Sequence, residues 1–143
     1  MSVILERVGF APDYVNYVES LDMQSRLHAE VAARARQNTI LLLEHEPVIT
    51  AGKRTEDHEY PTDRSTPVVK IDRGGKLTWH GPGQLTGYPI LKLPEPLDVV
   101  AYVRLLEEII MNVLAQLGIK GERVEGRSGV WILGDGIHIN NFN

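Results

Sequence analysis

Apolar and polar positions alternate weakly over residues 3–8 and stop at Gly9, which predicts a first strand. Pro12 and Asp13 read as a helix entry, with the Asp13 carboxylate placed to cap the first free N–H groups. Tyr14, Tyr17, Val18, Leu21, Ser25, Leu27, His28 and Val31 approximate a 3.6-residue stripe that carries this helix to about Arg36. The bounded apolar run 39–44 (TILLLE) has the form of a strand buried on both faces. Pro47 and Gly52 punctuate the chain after it. The polar stretch 53–66 (KRTEDHEYPTDRST) is a loop, either exposed or a mobile lid. Strands are predicted at 67–71, 76–79 and 88–93, the last limited in its pairing by Pro89.

The clearest helix is 99–117, preceded by Pro96 and a capping Asp98 and stopped by Gly118. Val99, Val103, Leu106, Ile110, Val113, Leu114 and Leu117 form its apolar face. Burying such side chains stabilises by about 1.5–3 kcal/mol each, so this helix is expected in the core. A last strand is predicted at 129–133. The order β-α-β-loop-β-β-β-α-β predicts one mixed α/β (α+β) domain, a mixed sheet with flanking helices and no regular βαβ repeat.

Composition narrows the class. The 143 residues hold 15 Lys+Arg against 19 Asp+Glu, a net charge of −4, with 43% hydrophobic and 24% charged residues. That is globular and argues against disorder. With no basic cluster, nucleic acid is not an expected partner. No apolar run reaches the ~20 residues that span a bilayer, and the first residues do not read as a signal peptide, so no membrane role is expected. There is no cysteine, so these residues offer no disulfide framework, thiolate metal site or cysteine nucleophile.

The densest chemistry is in 73–90, RGGKLTWHGPGQLTGYPI. Its glycines let backbone approach a ligand closely, and Arg73, Lys76, Thr78, His80, Gln84 and Tyr88 set polar tips beside apolar Leu77 and Trp79. The mixture suits either a pocket for a ligand with an apolar body and a polar end, or a plain hairpin with glycine-rich turns. It is neither a Walker loop nor a dinucleotide fingerprint. His80 either donates to an acyl or phosphate oxygen or makes a local turn bond. Glu44 and Glu46 alternate with His45, which puts them on opposite strand faces and argues against a shared metal; none is expected. His45 and Glu46 are expected at a strand end, orienting the next loop. Ser128, in GRSG, reads as a tight polar turn, not a nucleophile elbow, beside an Arg127 able to present an anion-binding fork.

Residues 73–90 resemble the signature R-G-G-x-x-T-x-H-G-P-G-Q-L-x-x-Y-P of the lipoate-biosynthesis octanoyltransferases. LLLEHEPVITAGKRT (41–55), PLDVVAYVRLLEE (96–108) and GRSGVWI (126–132) resemble the flanking regions of the same family. The resemblance implies the fold shared with biotin and lipoate protein ligases. It implies transfer of an octanoyl group from octanoyl-acyl carrier protein to a lysine of lipoyl domains of 2-oxoacid dehydrogenases or of the glycine-cleavage H protein, in the cytoplasm. No ATP or other cofactor is implied, because the donor is already a thioester. By the same resemblance Arg73, Gly74, Gly75, Lys76, Leu77, Thr78, Trp79 and His80 form the substrate-binding segment, and Gly81, Pro82, Gly83 and Gln84 hold the turn that shapes it.

The family also carries a lysine after the GRSGVW strand and, later, a nucleophilic cysteine whose pKa that lysine lowers. Here ILGDGIHINNFN comes after Trp131, no lysine occurs after Lys120, and residues 136–140 resemble the family's G-x-x-L-N strand. The expectation is therefore a single 1–143 domain, missing or altered after about residue 134, with no catalytic pair of its own and inactive by the family mechanism. A frameshifted or chimeric tail, or a chain end unrelated to the family, is the alternative, and an apolar strand edge is expected to lie exposed. Two other functions stay open: a non-catalytic acyl-binding module, and an ATP-dependent lipoate or biotin ligase.

Overall fold

A computed structural model describes residues 2–132 and the backbone of 138–139. Two compact units result, Met1–Lys92 and Leu93–Asn143. The first holds β1 (Val3–Gly9), α1 (Tyr17–Ala32), β2 (Asn38–Leu43), β3 (Val48–Ala51), β4 (Val68–Lys70), β5 (Leu77–His80) and β6 (Thr86–Ile90), with a 3-10 turn at Asp57–Glu59. The second holds α2 (Val99–Gln116), β7 (Val130–Trp131) and β8 (His138–Ile139).

The first unit has two three-stranded sheets where the sequence predicts one. In the first, β2 lies between a parallel β1 and an antiparallel β6. Thr39, Leu41 and Leu43 of β2 are fully buried, while Ile40 and Leu42 on the other face are half-buried, so the strand is not covered equally on both sides. Leu27 and Val31 of α1 pack on Leu41 and on Ile90 of β6, with Val8, Met23 and Tyr88 around them. Pro89 stands opposite Ile40, which is tolerable because β6 is an edge strand. The second sheet has β3 in the centre, parallel to β4 and antiparallel to β5.

α1 starts three residues later than a cap at Asp13 predicts. The reason is Val15, whose N–H donates to the Glu44 carbonyl (2.9 Å) and whose carbonyl accepts from Glu46 N (3.2 Å), holding that stretch extended. The next polar side chain, Asn16, caps the helix by accepting from Val18 and Glu19 N–H groups. α1 also ends before Arg36: residues 33–36 fold back with Arg34 at φ 59°. Four-residue β3, bounded by Pro47 and Gly52, is absent from the sequence prediction; its partners lie about 20 and 30 residues downstream, beyond the reach of local periodicity.

In the second unit Asp98 caps α2 through Ala101 N (2.8 Å), and Gly118 takes φ +75° at its end. The apolar face is buried less than predicted. Leu114 is buried and Val103, Leu106 and Ile110 are half-buried, but Val99, Val113 and Leu117 are exposed. The fully buried position is instead Glu107, whose carboxylate accepts from Arg104 (2.7 Å), Arg123 Nε (2.8 Å) and Gly129 N (3.0 Å). Burial would raise its pKa, but these three donors together hold it below the usual carboxylate range. Arg127 lies over the Trp131 ring at 5.2 Å, a cation–π contact and not an open fork. β7 pairs with β8 antiparallel, Val130 opposite Ile139. Residues 133–137 and 140–143, including Gly136 and most of the tail that resembles G-x-x-L-N, lie outside the described residues.

Candidate active site

The site is built on the β3–β5 pairing, which sets Thr50 opposite Thr78 and Val48 opposite His80. Strand alternation puts Thr78 and His80 on one face and Leu77 and Trp79 on the other. Buried Thr50 donates its hydroxyl to the Thr78 carbonyl (3.3 Å), leaving its oxygen lone pairs for another donor. That donor is Arg73. Its Nη2 reaches Thr50 Oγ1 at 2.9 Å and Thr78 Oγ1 at 2.8 Å, and its Nη1 returns to the Gly74 carbonyl at 2.9 Å. Partial burial of this guanidinium lowers its pKa, offset only in part by Tyr17, and among the described residues no carboxylate pairs with it.

The bend that turns Arg73 inward depends on two glycines. Gly75 adopts φ +87°, which only glycine takes without strain. Gly52, at the end of β3, passes so close beneath the bend that a Cβ there would lie 2.6 Å from the Gly75 carbonyl oxygen and 2.8 Å from that of Gly74. Backbone bonds from Lys53 N to Arg73 O (2.9 Å) and Arg54 N to Gly75 O (3.1 Å) fasten the two segments.

Next to this clamp stands an aromatic cluster from three elements. Tyr17 of α1 stacks with His80 at 6.0 Å and tilts against His45 at 5.1 Å, and His45 meets His80 edge-on at 5.8 Å. His45, fully buried, has Nδ1 2.9 Å from the Val15 carbonyl and Nε2 2.7 Å from the Tyr88 hydroxyl. A carbonyl only accepts, so Nδ1 carries the proton and, in the neutral ring, Nε2 accepts from Tyr88. His80 has Nδ1 2.7 Å from Gln84 Oε1, and the Gln84 amide is oriented by donating to the Trp79 carbonyl (3.2 Å). Gln84 therefore offers oxygen to His80, whose Nδ1 also carries the proton.

Burial depresses the pKa of both histidines, aided for His45 by His80 and for His80 by Arg73. Burial likewise pushes the Tyr17 and Tyr88 phenols up. In the unfolded chain the imidazoles take up protons near their ordinary value of 6.5; in the folded chain they do so only at lower pH. Their stabilisation is thus complete above about pH 6.5 and is lost as pH falls through the depressed folded values. Thermal melts should hold steady from about pH 8 to 7 and then drop between about 6.5 and 5, ahead of carboxylate protonation. A midpoint unchanged down to about pH 5 would contradict neutral burial of these rings.

The remaining predicted residues divide. Lys76 turns to Glu59 (2.5 Å) and Glu56 (3.8 Å), away from the clamp; the Glu59 bond raises its pKa. Leu77 is half-buried, and Trp79 is 46% exposed with its ring over Gly81, where a Cβ would meet it at 2.3 Å. Gly74 has open space around its Cα. Glu44, His45 and Glu46 go to different partners: Glu44 accepts from Gly83 N (3.0 Å), and Glu46 from Asn16 Nδ2 (3.2 Å). Two surface cavities, of about 390 and 510 Å³, are lined by other residues, none from 73–90. Thr50 and Tyr17 are members of the site that the motif does not include; each is brought in by pairing or helix packing across more than 25 residues.

The chain is similar to known octanoyltransferases in sequence and to lipoate protein ligases in fold. An octanoyltransferase of Leifsonia xyli subsp. xyli is 63% identical over 131 residues, 92% of this chain and 58% of that protein. One from Streptomyces coelicolor is 60% identical over 129 residues, 90% of this chain and 48% of that protein. The chain thus spans only about half of these relatives. In fold it is similar to a bi-partite lipoate protein ligase from Thermoplasma acidophilum, with TM-score 0.61 at 17% identity over 87% of this chain and 49% of that one. The profile described as "Lipoyl protein ligase A/B catalytic domain" matches residues 16–137, and the chain belongs to that family.

Proposed function

We propose that this chain carries the acyl-handling part of an octanoyltransferase, which moves octanoyl from acyl carrier protein to a lysine of a lipoyl domain. The carrying observation is the clamp of Arg73 on Thr50 and Thr78 beside the Tyr17–His45–His80 cluster, in a chain 63% identical to an octanoyltransferase. The clamp supplies a fixed cation beside which a thioester carbonyl could gain negative charge. The neutral rings of Tyr17, His45 and His80 suit an acyl chain next to it. In this reading the backbone of 73–80, with Arg73, Thr78 and His80 inward, lines the substrate, while Lys76 and Trp79 face its rim.

The absence of cysteine from the sequence favours a further statement: the 143 residues bind the acyl donor but do not form the family's acyl-enzyme. Isothermal titration tests the first part. Octanoyl-acyl carrier protein should bind at least tenfold more tightly than the unacylated carrier, and ATP should give no saturable heat. Equal affinities contradict the reading, and ATP binding favours a ligase. Intact-mass analysis of an apo lipoyl domain incubated with chain and donor tests the second. No octanoyl gain is expected from a folded sample, and a gain of one octanoyl group would overturn it.

A further inference from the structure

The sequence places His45 at a strand end, orienting the loop that follows. The folded chain gives it a different task. It stands just past β2, and its ring reaches back to Val15 and across to β6. The Val15 carbonyl can only accept, so Nδ1 (2.9 Å) donates to it and Nε2 of the neutral ring accepts from the Tyr88 hydroxyl (2.7 Å). Ser20 and Gln24 of α1 also bond to Tyr88. Ser20, fully buried, gives its hydroxyl hydrogen to the Tyr17 carbonyl (2.7 Å) and accepts from Gln24 (3.5 Å). The network therefore starts at Val15 and closes at Tyr17, the two residues that flank the helix cap Asn16.

We infer that His45 is a positioning residue: by joining Val15 to Tyr88 through one tautomer, it fixes where the Tyr17 ring stands against His80. The consequence for ligand binding rests on the proposed octanoyl thioester site; the placement of Tyr17 does not.

The arrangement belongs to the neutral ring. A proton at Nε2 would set two hydrogens in the 2.7 Å contact, and the Tyr88 hydroxyl would have to turn away. The groups facing the ring are Tyr17 of α1, Tyr88 of β6 and His80 of β5, with Arg73 acting on Tyr17 and His80. The flanking carboxylates go elsewhere, Glu44 to Gly83 N and Glu46 to Asn16 Nδ2. Burial lowers the His45 pKa most, the Val15 bond opposes it, and His80 adds to it. With the folded value lowered, the arrangement is complete above the ordinary value of 6.5 and is lost as pH falls through the folded one.

Tyr88→Phe, which removes one oxygen and keeps the ring, tests the placement. At about pH 7.5, long-range ¹H–¹⁵N NMR should show His45 of the unaltered chain with its proton on Nδ1 alone. The variant should mix the two tautomers, raise the His45 pKa by about half a pH unit or more, and move the Tyr17 ring signals. Unmixed tautomers or unmoved Tyr17 signals overturn the inference. Affinity for S-octanoyl-pantetheine separates positioning from general support of the fold. In the unaltered chain it should weaken about fivefold or more between about pH 7.5 and 5.5, in step with the Tyr17 signals. His45→Asn keeps a donor for Val15 but cannot titrate. It should bind more weakly throughout and vary no more than about twofold over the same range. The same pH step in His45→Asn overturns the inference and leaves the functional reading standing. A chain that binds no probe at any pH overturns the functional reading, while the Tyr88→Phe spectra still decide whether His45 places Tyr17.

Discussion

Replacing Gly52 with alanine should dismantle the Arg73 clamp and lower stability by about 2–3 kcal/mol, near the top of the range for an overpacked position. The new Cβ would stand 2.6 and 2.8 Å from two backbone carbonyl oxygens and 3.0 Å from Arg73 Nη1. The carbonyls belong to Gly75 and Gly74, so relief requires the whole bend to lift. Lifting it draws Arg73 off Thr50 and Thr78 and breaks the Lys53 and Arg54 backbone bonds. Affinity for octanoyl-acyl carrier protein should fall at least tenfold, or about 1.4 kcal/mol. Gly74→Ala is the matched control. A Cβ there meets nothing within 4 Å, and the cost should stay within about 0.5 kcal/mol. Urea midpoints and isothermal titration on both variants check the pair. Equal effects at the two positions would show that the close approach at Gly52 does not set the bend.

Glu107→Ala should be the most damaging substitution in the second unit, at about 2–4 kcal/mol. Breaking a buried ion pair costs about 3–5 kcal/mol when the partner is left stranded. The figure is lower here because Arg104 and Arg123 are 46% and 37% exposed and can turn to water. The Gly129 N–H cannot turn, and losing its acceptor carries its own desolvation cost of about 1–3 kcal/mol. Glu107→Gln keeps an oxygen for Gly129 and should lose less. Denaturant melts measure the cost, and amide exchange at Val130 and Trp131 should accelerate first. Exchange there unchanged in Glu107→Ala would mean the carboxylate does not anchor β7.

The elements that periodicity reveals are those whose order is local. β1, β4, β5, α2 and β7 fall within a few residues of their predicted places because alternation, a capping Asp98 and a stopping Gly118 all lie in or beside them. β3 escapes prediction because four residues between a proline and a glycine have no period to read. The predicted start of α1 at Asp13 is too early because the Val15–His45 bridge is made with residues 30 positions away. The face of α2 is overstated for a related reason: an apolar stripe shows which side can be buried, not how much is covered.

The site is legible in the same partial way. The motif marks the segment that supplies Arg73, Thr78 and His80 to the cluster, and the family match over residues 16–137 agrees with the resemblance drawn from it. Which of its side chains converge is not legible. Arg73, Thr78 and His80 meet because Thr50 and Tyr17 come to them from β3 and α1, while Lys76 is drawn to Glu59. Nor does a sequence carry a tautomer. The direction of the His80 proton depends on the Trp79 carbonyl orienting the Gln84 amide, a fact of the folded turn.

The most direct test of the central claim is amide and side-chain NMR of the 143-residue chain titrated with S-octanoyl-pantetheine. Saturable shifts should concentrate on Thr50, Arg73, Gly75, Thr78, His80 and Gln84, with Tyr17 ring signals moving in step, and unacylated pantetheine should produce much smaller ones. Saturable shifts elsewhere with this cluster undisturbed, or no difference between the acylated and unacylated probes, would contradict an octanoyl thioester site at the Arg73–His80 clamp.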